Sequence, residues 1–328
     1  NPIFCIILTM NIFIKKLLYL IIMLFIISLI SFIAINLAPN SFFASGELNP
    51  NITPEAIEEL KAIYGLDKPL YIQFFSWIYS ILQLDFGISF TSGEKVKEEI
   101  LSRIPITLTI NIVSMILIFI ISLYFGIKSA MKKNSIFDRF TNQLSLLSFS
   151  MPSFYLALVL VLVFSIKFEL FPIAGLHSVP NDGSLNYYLD FAWHLTLPIF
   201  IIVFGGIGSL ILYIRALTIE ILKSDYIFFA RARGLDNKKI LRYYILPNLY
   251  PPVITLLGLS LPGIIGGSVI LETIFSIDGM GLLFYQSALS HDYPVIMGIL
   301  IIGAFLTLIG NMFADLILLK LNPNYNEK

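Results

Sequence analysis

The chain has 328 residues, of which 57% are hydrophobic and only 13% are charged, and its mean hydropathy is +0.87. A soluble protein of this length cannot bury so much apolar surface, so lipid must cover part of it. The formal net charge of zero gives no sign of a nucleic-acid partner, and the single cysteine, Cys5, excludes an internal disulfide and a multi-cysteine zinc site.

The first predicted element is a long apolar helix near the N-terminus. Met10 is an alternative start to Asn1, so residues 1–9 are interpreted as a candidate N-terminal extension. The apolar run over 17–38 is longer than the ~7–15 apolar residues of a signal peptide. It matches the ~20 residues that cross a bilayer and therefore predicts an uncleaved spanning helix.

The next segment is a polar loop with two predicted amphipathic helices. Thr53-Pro54 is typical of a helix start and Gly65 of a helix end. The second helix is predicted over 71–84. Its aromatic residues favour a membrane–water interface, and they are Phe74, Phe75, Trp77 and Tyr79.

Five further apolar runs complete a prediction of six membrane-spanning helices. Runs of this length cross a bilayer as helices, which satisfy every backbone polar group internally. The runs cover residues 106–128, 144–166, 195–219, 252–275 and 295–319. With the N-terminus inside, 15 of the 21 Lys and Arg residues lie inside, and 15 of the 21 acidic residues lie outside. This asymmetry follows the positive-inside rule and predicts that both termini are cytoplasmic.

The inner loop over 224–247 indicates a function most clearly, and its first half is predicted to be a short helix. Ser224 or Asp225 caps this helix, and Gly234, which tolerates a left-handed φ, ends it. A short, rigid helix of this kind suits insertion into a groove on a partner. Its small and basic side chains are Ala230, Arg231, Ala232 and Arg233.

The second half of this loop is predicted to be another short helix, which Asp236 caps and Leu246-Pro247 ends. The same basic and aromatic surface suits the anionic inner leaflet equally well. The spacing favours docking to a partner, because Gly234 precedes Leu246-Pro247 by twelve residues and follows the small Ala230 by four.

This loop resembles the inner loop of the permease subunits of binding-protein-dependent ABC importers, in the branch that carries peptides and nickel. Phe228 stands where the motif usually has a more polar residue, and so does Phe229. The residues that the resemblance assigns to coupling with an ATPase are Asp225, Tyr226, Phe229, Ala230, Arg231, Ala232, Arg233, Gly234, Leu246 and Pro247.

Other short motifs from Met10 onward are similar to the same branch. Ile277-Asp278 replaces the aromatic-proline pair that the family has before Gly279. The similar segments cover 64–70, 85–90, 103–108, 266–268, 272–275 and 279–281, with Asn311 and Asp315.

The resemblance implies an all-α membrane protein with six transmembrane helices and the type I ABC importer permease fold. It implies short amphipathic helices in the first external loop and a cytoplasmic coupling helix. Residues 10–104 then form the first helix and external loop, 105–320 the permease domain and 321–328 a cytoplasmic tail.

The implied partners are a second homologous permease, two cytoplasmic ABC ATPase subunits, an external substrate-binding protein and the lipid of the bacterial cytoplasmic membrane. The chain itself is expected to bind no cofactor, since ATP and Mg²⁺ are used by the ATPase subunits.

Polar and small residues inside the predicted spans are candidates for the substrate path or the bundle interior. Helix–helix packing is the preferred interpretation, although ionisable groups at membrane depth often line a path. Pro152 is interpreted as a hinge or a tolerated kink. The candidates are Ser150, Pro152, Gly266, Gly267, Glu272, Asn311 and Asp315.

Neither a metal site nor a catalytic motif is predicted. His177, His194 and His291 are far apart in sequence and lack metal-ligand spacing, so they are interpreted as solvated or interfacial. The chain has no Gly-x4-Gly-Lys-Ser/Thr phosphate loop and no Gly-x-Ser-x-Gly elbow. It is therefore predicted not to be an enzyme, with ATP hydrolysis in a separate subunit.

The sequence predicts the permease subunit of an ATP-driven importer of small peptides, with nickel or nickel chelates as the alternative substrate. An ion-gradient-driven secondary transporter is a remoter alternative, which predicts carboxylates at mid-membrane and inverted repeats. Glu272 and Asp315 lie near opposite ends of their predicted helices instead. A non-transporting membrane scaffold or receptor is the other alternative.

Overall fold

The computed structural model describes residues 2–37, 68–264 and 267–321, and these residues are mainly helical. Their β pairing is limited to one isolated bridge between Ile88 and Lys95. The α-helices are α1 Pro2–Leu37, α2 Leu70–Leu82, α3 Val96–Met131, α4 Ile136–Ser150, α5 Ser153–Leu160, α6 Leu185–Leu222, α7 Asp225–Ala232, α8 Asn237–Ile240, α9 Leu246–Ser260, α10 Val269–Ile274, α11 Met280–Leu289 and α12 Tyr293–Leu321. Two π-helical turns, Val161–Lys167 and Leu241–Ile245, continue α5 and α8, and a 3₁₀ turn, Leu261–Ile264, continues α9.

Four helices of the described chain are long and apolar enough to cross a membrane. They overlap the predicted first, second, fourth and sixth spans, and the all-helical prediction is confirmed. A bent pair, α4 with α5 and its π-helical turn, makes a fifth crossing if the pair is one span. The four apolar stretches are Lys16–Ile33, Val96–Met131, Leu185–Leu222 and Tyr293–Met312.

The bend between α4 and α5 lies at Met151-Pro152, where the two helices are inclined by 100°. Pro152 lacks a backbone N–H and disfavours a helical conformation at Met151, which is extended with φ −86° and ψ 122°. The span predicted over 144–166 is therefore not one continuous helix. Pro152 is not a kink within a helix, because it separates two helices.

The predicted span over 252–275 is not one helix either. The helix α9 ends at Ser260, and α10 begins only at Val269. Gly267 lies between them with φ +63°, a left-handed conformation that glycine adopts without strain. Gly266 lies outside the described residues. Glu272 is consequently on a separate short helix rather than near the end of a long span.

The chain folds as two compact units, Asn1–Pro105 with Gly279–Met312, and Ile106–Asp278 with Phe313–Lys328. In the first unit, α2 packs on α1 through Phe74, whose ring centroid is 5.4 Å from that of Phe32. Helix α2 occupies the predicted amphipathic stretch, whereas the predicted helix between Thr53 and Gly65 lies outside the described residues.

Also in the first unit, the loop before α3 is bound to Asp292, which directly precedes α12. Ser89 Oγ donates to Asp292 Oδ2 at 2.6 Å. The backbone amides of Phe90 and Thr91 donate to the same carboxylate at 3.2 and 3.1 Å. The motif over 85–90 therefore has a structural role, since it satisfies a carboxylate that is only 1% exposed.

In the second unit, α4 packs closely along α6. A Cβ added at Gly208 on α6 would lie 2.5 Å from the Ser145 carbonyl oxygen, so only glycine allows this approach of the two backbones. Ser148 on α4 donates to the Phe204 carbonyl. Gly205 has no heavy atom within 4 Å of its added Cβ, so it does not contribute to the contact.

Candidate functional site

Helix α7 is the first of the two short helices predicted in the inner loop. Ser224 occupies its N-cap position, but the Ser224 hydroxyl donates to the Ile221 carbonyl at 2.6 Å and makes no capping bond. Asp225 lies in the first turn, where its charge favours the positive end of the helix dipole. Gly234, with φ +79°, follows the C-cap residue Arg233 and ends the helix as predicted.

The inward face of α7 is anchored in the second unit. Ile227 and Ala230 are 1% and 2% exposed. Tyr226 stacks on Tyr244 of the π-helical turn, with ring centroids 6.1 Å apart. Ile227 belongs to a buried cluster with residues of α3, α6, α8 and α9, so α7 is packed into the same core as these four helices. The cluster includes Ile127, Ile214, Ile240 and Leu249.

The outward face of α7 is exposed and combines aromatic with basic side chains. Phe228 and Phe229 are 69% and 62% exposed, although large aromatic rings gain most from burial. Exposed aromatic residues with arginine at the rim are typical of a protein interaction surface. We call this the α7 surface, and it consists of Phe228, Phe229, Arg231, Ala232 and Arg233, all of them exposed.

The second short helix begins as predicted but does not end as predicted. Asp236 Oδ1 accepts a bond from the Lys239 amide at 3.0 Å and so caps α8. The chain then continues as helix through Leu246-Pro247, because Pro247 lies in the first turn of α9. Asn248 Nδ2 donates to the Tyr244 carbonyl at 2.7 Å within this stretch. The prediction that Leu246-Pro247 ends this helix is wrong.

The pathway candidates in the second unit occupy different elements. Ser150 is exposed at the end of α4, and its hydroxyl donates to the Leu146 carbonyl at 2.8 Å. Glu272 on α10 is 4% exposed and accepts a bond from Thr107 Oγ1 on α3 at 3.4 Å. This contact between two helices agrees with the bundle-interior interpretation of Glu272.

Asn311 and Asp315 both lie on α12, four residues apart and so on one face of that helix. Asn311 is half-buried, and the side chain of Asp315 lies outside the described residues.

A cavity of about 570 Å³ lies between α3, α6 and α9 in the second unit, and sequence interpretation missed it. Ser114 is 1% exposed, and its hydroxyl has no hydrogen-bond partner among the described residues. The polar residues that line this cavity recur at helical spacing, and that spacing is the feature of the sequence that could have indicated it. They are Asn111, Ser114, Ser209, Tyr213 and Ser260.

Asp138 on α4 and Arg215 on α6 form a buried ion pair that was also missed. Arg215 Nε and Nη2 donate to the two carboxylate oxygens at 2.7 and 2.9 Å. Ser129 donates to the same carboxylate, as do the Asn134 amide at 2.8 Å and Asn142 Nδ2 at 3.0 Å. An arginine within an apolar run signals such a site, but it does not identify the partner.

Two of the three histidines are brought together around Asp190 on α6. Asp190 Oδ2 is 3.7 Å from His177 Nδ1, and Asp190 Oδ1 is 3.5 Å from His194 Nδ1. His194 is 5% exposed, and its Nε2 is 3.2 Å from Ser178 Oγ, so His194 is not solvated, the first of the two predicted alternatives. Within the described residues, no group of three or more His, Cys, Asp or Glu side chains is placed to hold a metal ion.

Comparisons with protein families match nearly the whole chain. The family described as "Binding-protein-dependent transport system inner membrane component" matches residues 119–327. Its N-terminal companion, "Binding-prot-dependent transport system membrane comp, N-term", matches residues 9–111.

Two curated relatives match at similar lengths. The oligopeptide transport system permease protein AppB of Bacillus subtilis is 35% identical over 298 residues, which cover 90% of this chain and 93% of the relative. The metal-staphylopine import system permease protein CntB of Staphylococcus aureus is 32% identical over 278 residues, or 85% of each chain.

A solved chain of the inward-facing MetNI methionine ABC transporter matches with a TM-score of 0.54 at 17% identity. The match covers 68% of this chain and 96% of that chain. At this identity the likeness shows a shared fold, which is that of a type I ABC importer permease.

Proposed function

This chain belongs to the family of binding-protein-dependent transport system inner membrane components, and from that membership we propose that it is the permease of an ATP-driven importer of short peptides. ATP hydrolysis takes place in two separate cytoplasmic ATPase subunits, which bind ATP and Mg²⁺. A second homologous permease and an external substrate-binding protein complete the transporter. Residues 105–320 form the permease domain, 10–104 the first helix with its external loop, and 321–328 a cytoplasmic tail.

The observation that carries this proposal is the contrast between the two faces of α7. The α7 surface presents exposed rings and guanidinium groups, which suit a groove on an ATPase subunit. Ile227 and Ala230 fix the opposite face to the helices of the second unit. Closure of the ATPase pair on ATP binding would thus move α7 and, through the buried cluster, shift the permease from outward to inward access.

We place both termini in the cytoplasm of a bacterial cell, with six membrane crossings. The continuous helical stretch from Asn237 to Ile264 supplies the sixth crossing, because its length of about 40 Å is enough to cross a bilayer. The four long helices and the bent pair supply the other five. The excess of Lys and Arg in the inner loops supports this orientation, which places α2 on the outer side.

The cavity between α3, α6 and α9, which has polar side chains in a mainly apolar lining, is the strongest candidate in the described chain for a wall of the substrate path. Its hydroxyl and amide side chains are uncharged, so they can exchange hydrogen bonds with peptide amides without requiring a counter-charge. The B. subtilis relative is named for oligopeptides, which agrees with this substrate class.

Import of nickel or another metal chelate is the second candidate function, because the S. aureus relative is named for a metal-staphylopine complex. Binding of a peptide library and of Ni²⁺ chelates to the external binding protein distinguishes the two substrates. Uptake that survives ATP depletion while the proton gradient is intact would instead identify a secondary transporter.

The Gly234→Asp variant tests the role of the inner loop. Gly234 adopts φ +79°, and no atom lies within 4 Å of an added Cβ, so the variant changes the end of α7 without a steric clash. We expect normal accumulation in the membrane and loss of ATP-dependent peptide uptake.

Gly183→Asp is the matched control, since Gly183 has φ +69° and equally open surroundings. We expect this control to transport normally. Preserved uptake in the Gly234→Asp variant would contradict the proposed role of α7.

A further inference from the structure

A groove of about 520 Å³ lies in the second unit, between the C-terminal end of α3 and the start of the α8–α9 stretch. We call it the lysine groove. Its wall is mainly apolar, and the aliphatic residues are Leu123, Ile127, Met131, Leu241 and Leu246. This wall continues the apolar surface of a helix long enough to cross the membrane. A hydrocarbon chain, rather than water, is therefore its natural occupant.

Two lysines of α3 and its C-terminal end complete the lining. Lys128 is half-buried, and its Nζ is 2.5 Å from the Tyr124 hydroxyl and 4.8 Å from the centroid of the Phe137 ring. Lys132 is exposed, one helical turn further on. Their long side chains lie along apolar surface and carry the charge towards the polar boundary.

The surroundings of these lysines are strongly basic. Lys133 follows Lys132, and Lys238 and Lys239 follow Asn237, which also lines the groove. All three are exposed, and no ion pair joins any of the five lysines to a carboxylate within the described residues. The nearest acid on α4, Asp138, is already paired with Arg215. An anion at this position would meet lysine side chains that form no ion pair within the described residues.

We propose that the lysine groove binds an anionic phospholipid, with an acyl chain on the apolar wall and the phosphate at Lys128 and Lys132. A soluble anion would use the lysines but not the wall, and a neutral lipid would use the wall but not the lysines. The juxtaposition of both features at the end of a membrane helix selects a charged lipid. Lipid binding in this groove requires neither the transported substrate nor the α7 surface.

The test measures lipid binding to the full-length protein in detergent by native mass spectrometry, with phosphatidylglycerol compared with phosphatidylcholine. We expect preferential retention of phosphatidylglycerol. The double variant Lys128→Gln with Lys132→Gln should weaken that binding about 25-fold, since each basic residue near a membrane surface contributes roughly fivefold. The single variant Lys132→Gln alters only an exposed side chain, so it should fold normally and weaken binding by about fivefold.

The matched control removes two lysines outside the groove, Lys97→Gln with Lys167→Gln. Lys167 also lies over an aromatic ring, 5.7 Å from the centroid of Phe168, so the control reproduces the loss of a cation–π contact. Unchanged phosphatidylglycerol binding in this control supports the proposal. Equal weakening in both double variants overturns it, because the effect would then be one of net charge.

Three further outcomes would also overturn the proposal. One is equal retention of both lipids by the wild-type protein. Another is displacement of bound lipid by soluble glycerophosphate at the same concentration, which would identify a phosphate site without an acyl chain. The third is a Lys128→Gln with Lys132→Gln variant that retains lipid normally but loses an ATPase subunit, which would identify a protein interface.

Discussion

Two regions of the second unit carry basic residues: the seam where α4 packs along α6, and the α7 surface. They differ in whether the basic side chains are paired within the fold or exposed. At the seam, Arg215 is paired with Asp138, and the carboxylate has further donors from Ser129, Asn134 and Asn142. On the α7 surface the charged and aromatic groups point away from the fold.

The difference separates a structural role from an interaction role. A closed network of buried polar groups adds rigidity and leaves nothing for a partner to bind. The rings of Phe228 and Phe229 contact each other but stay mostly exposed in the isolated chain, so their further burial must come from another molecule. Substitutions at the seam should therefore change stability, and those on the α7 surface should change assembly and transport.

The largest effect is expected from Asp138→Ala. The variant leaves the Arg215 guanidinium, 21% exposed, without its carboxylate. Breaking a buried ion pair on one side costs about 3–5 kcal/mol, so we expect a strongly lowered unfolding temperature in detergent and reduced accumulation in the membrane. Asp182→Ala, which alters an exposed loop carboxylate, should be close to neutral. Equal stability of the two variants would show that the Asp138–Arg215 pair does not stabilise the fold.

A smaller effect is expected from Gly208→Val. The added side chain meets the α4 backbone at Ser145, and such overpacking costs about 1–3 kcal/mol. The control is Gly205→Val on the same helix, where no atom lies within 4 Å of an added Cβ. We expect thermal unfolding to separate the two variants, with Gly205→Val near the wild type. A destabilised Gly205→Val variant would show that loss of glycine itself, rather than the contact with α4, is responsible.

The sequence was most informative where one residue decides a local conformation. Gly234 and Asp236 end and cap their helices as predicted, because a left-handed φ and a side-chain acceptor are local requirements. The apolar runs likewise predicted four of the long helices from composition alone.

The wrong predictions concern positions whose conformation depends on their neighbours in the fold. Proline separates two helices at Pro152 but is accommodated in the first turn of α9 at Pro247, and the two positions look alike in sequence. Hydropathy could not show that the run over 252–275 is divided between α9 and α10.

Long-range pairs were beyond sequence interpretation for the same reason. Asp138 and Arg215 are 77 residues apart, and His177 reaches Asp190 only because a loop returns to α6. Periodicity shows that a side chain is polar and which helix face it occupies, but not which distant residue it meets. The cavity between α3, α6 and α9 and the lysine groove were missed because each is assembled from several helices.

The smallest effect on stability, and the most direct test of the central claim, is expected at Phe229, which is 62% exposed. A Phe229→Cys substitution in a Cys5→Ser background gives the chain one cysteine, on the α7 surface. In the assembled transporter we predict disulfide or bifunctional crosslinks from position 229 to an ATPase subunit, with a yield that changes when ATP is added. Labelling of position 229 by lipid-soluble reagents alone, or by reagents added outside intact cells, would contradict the coupling role of α7.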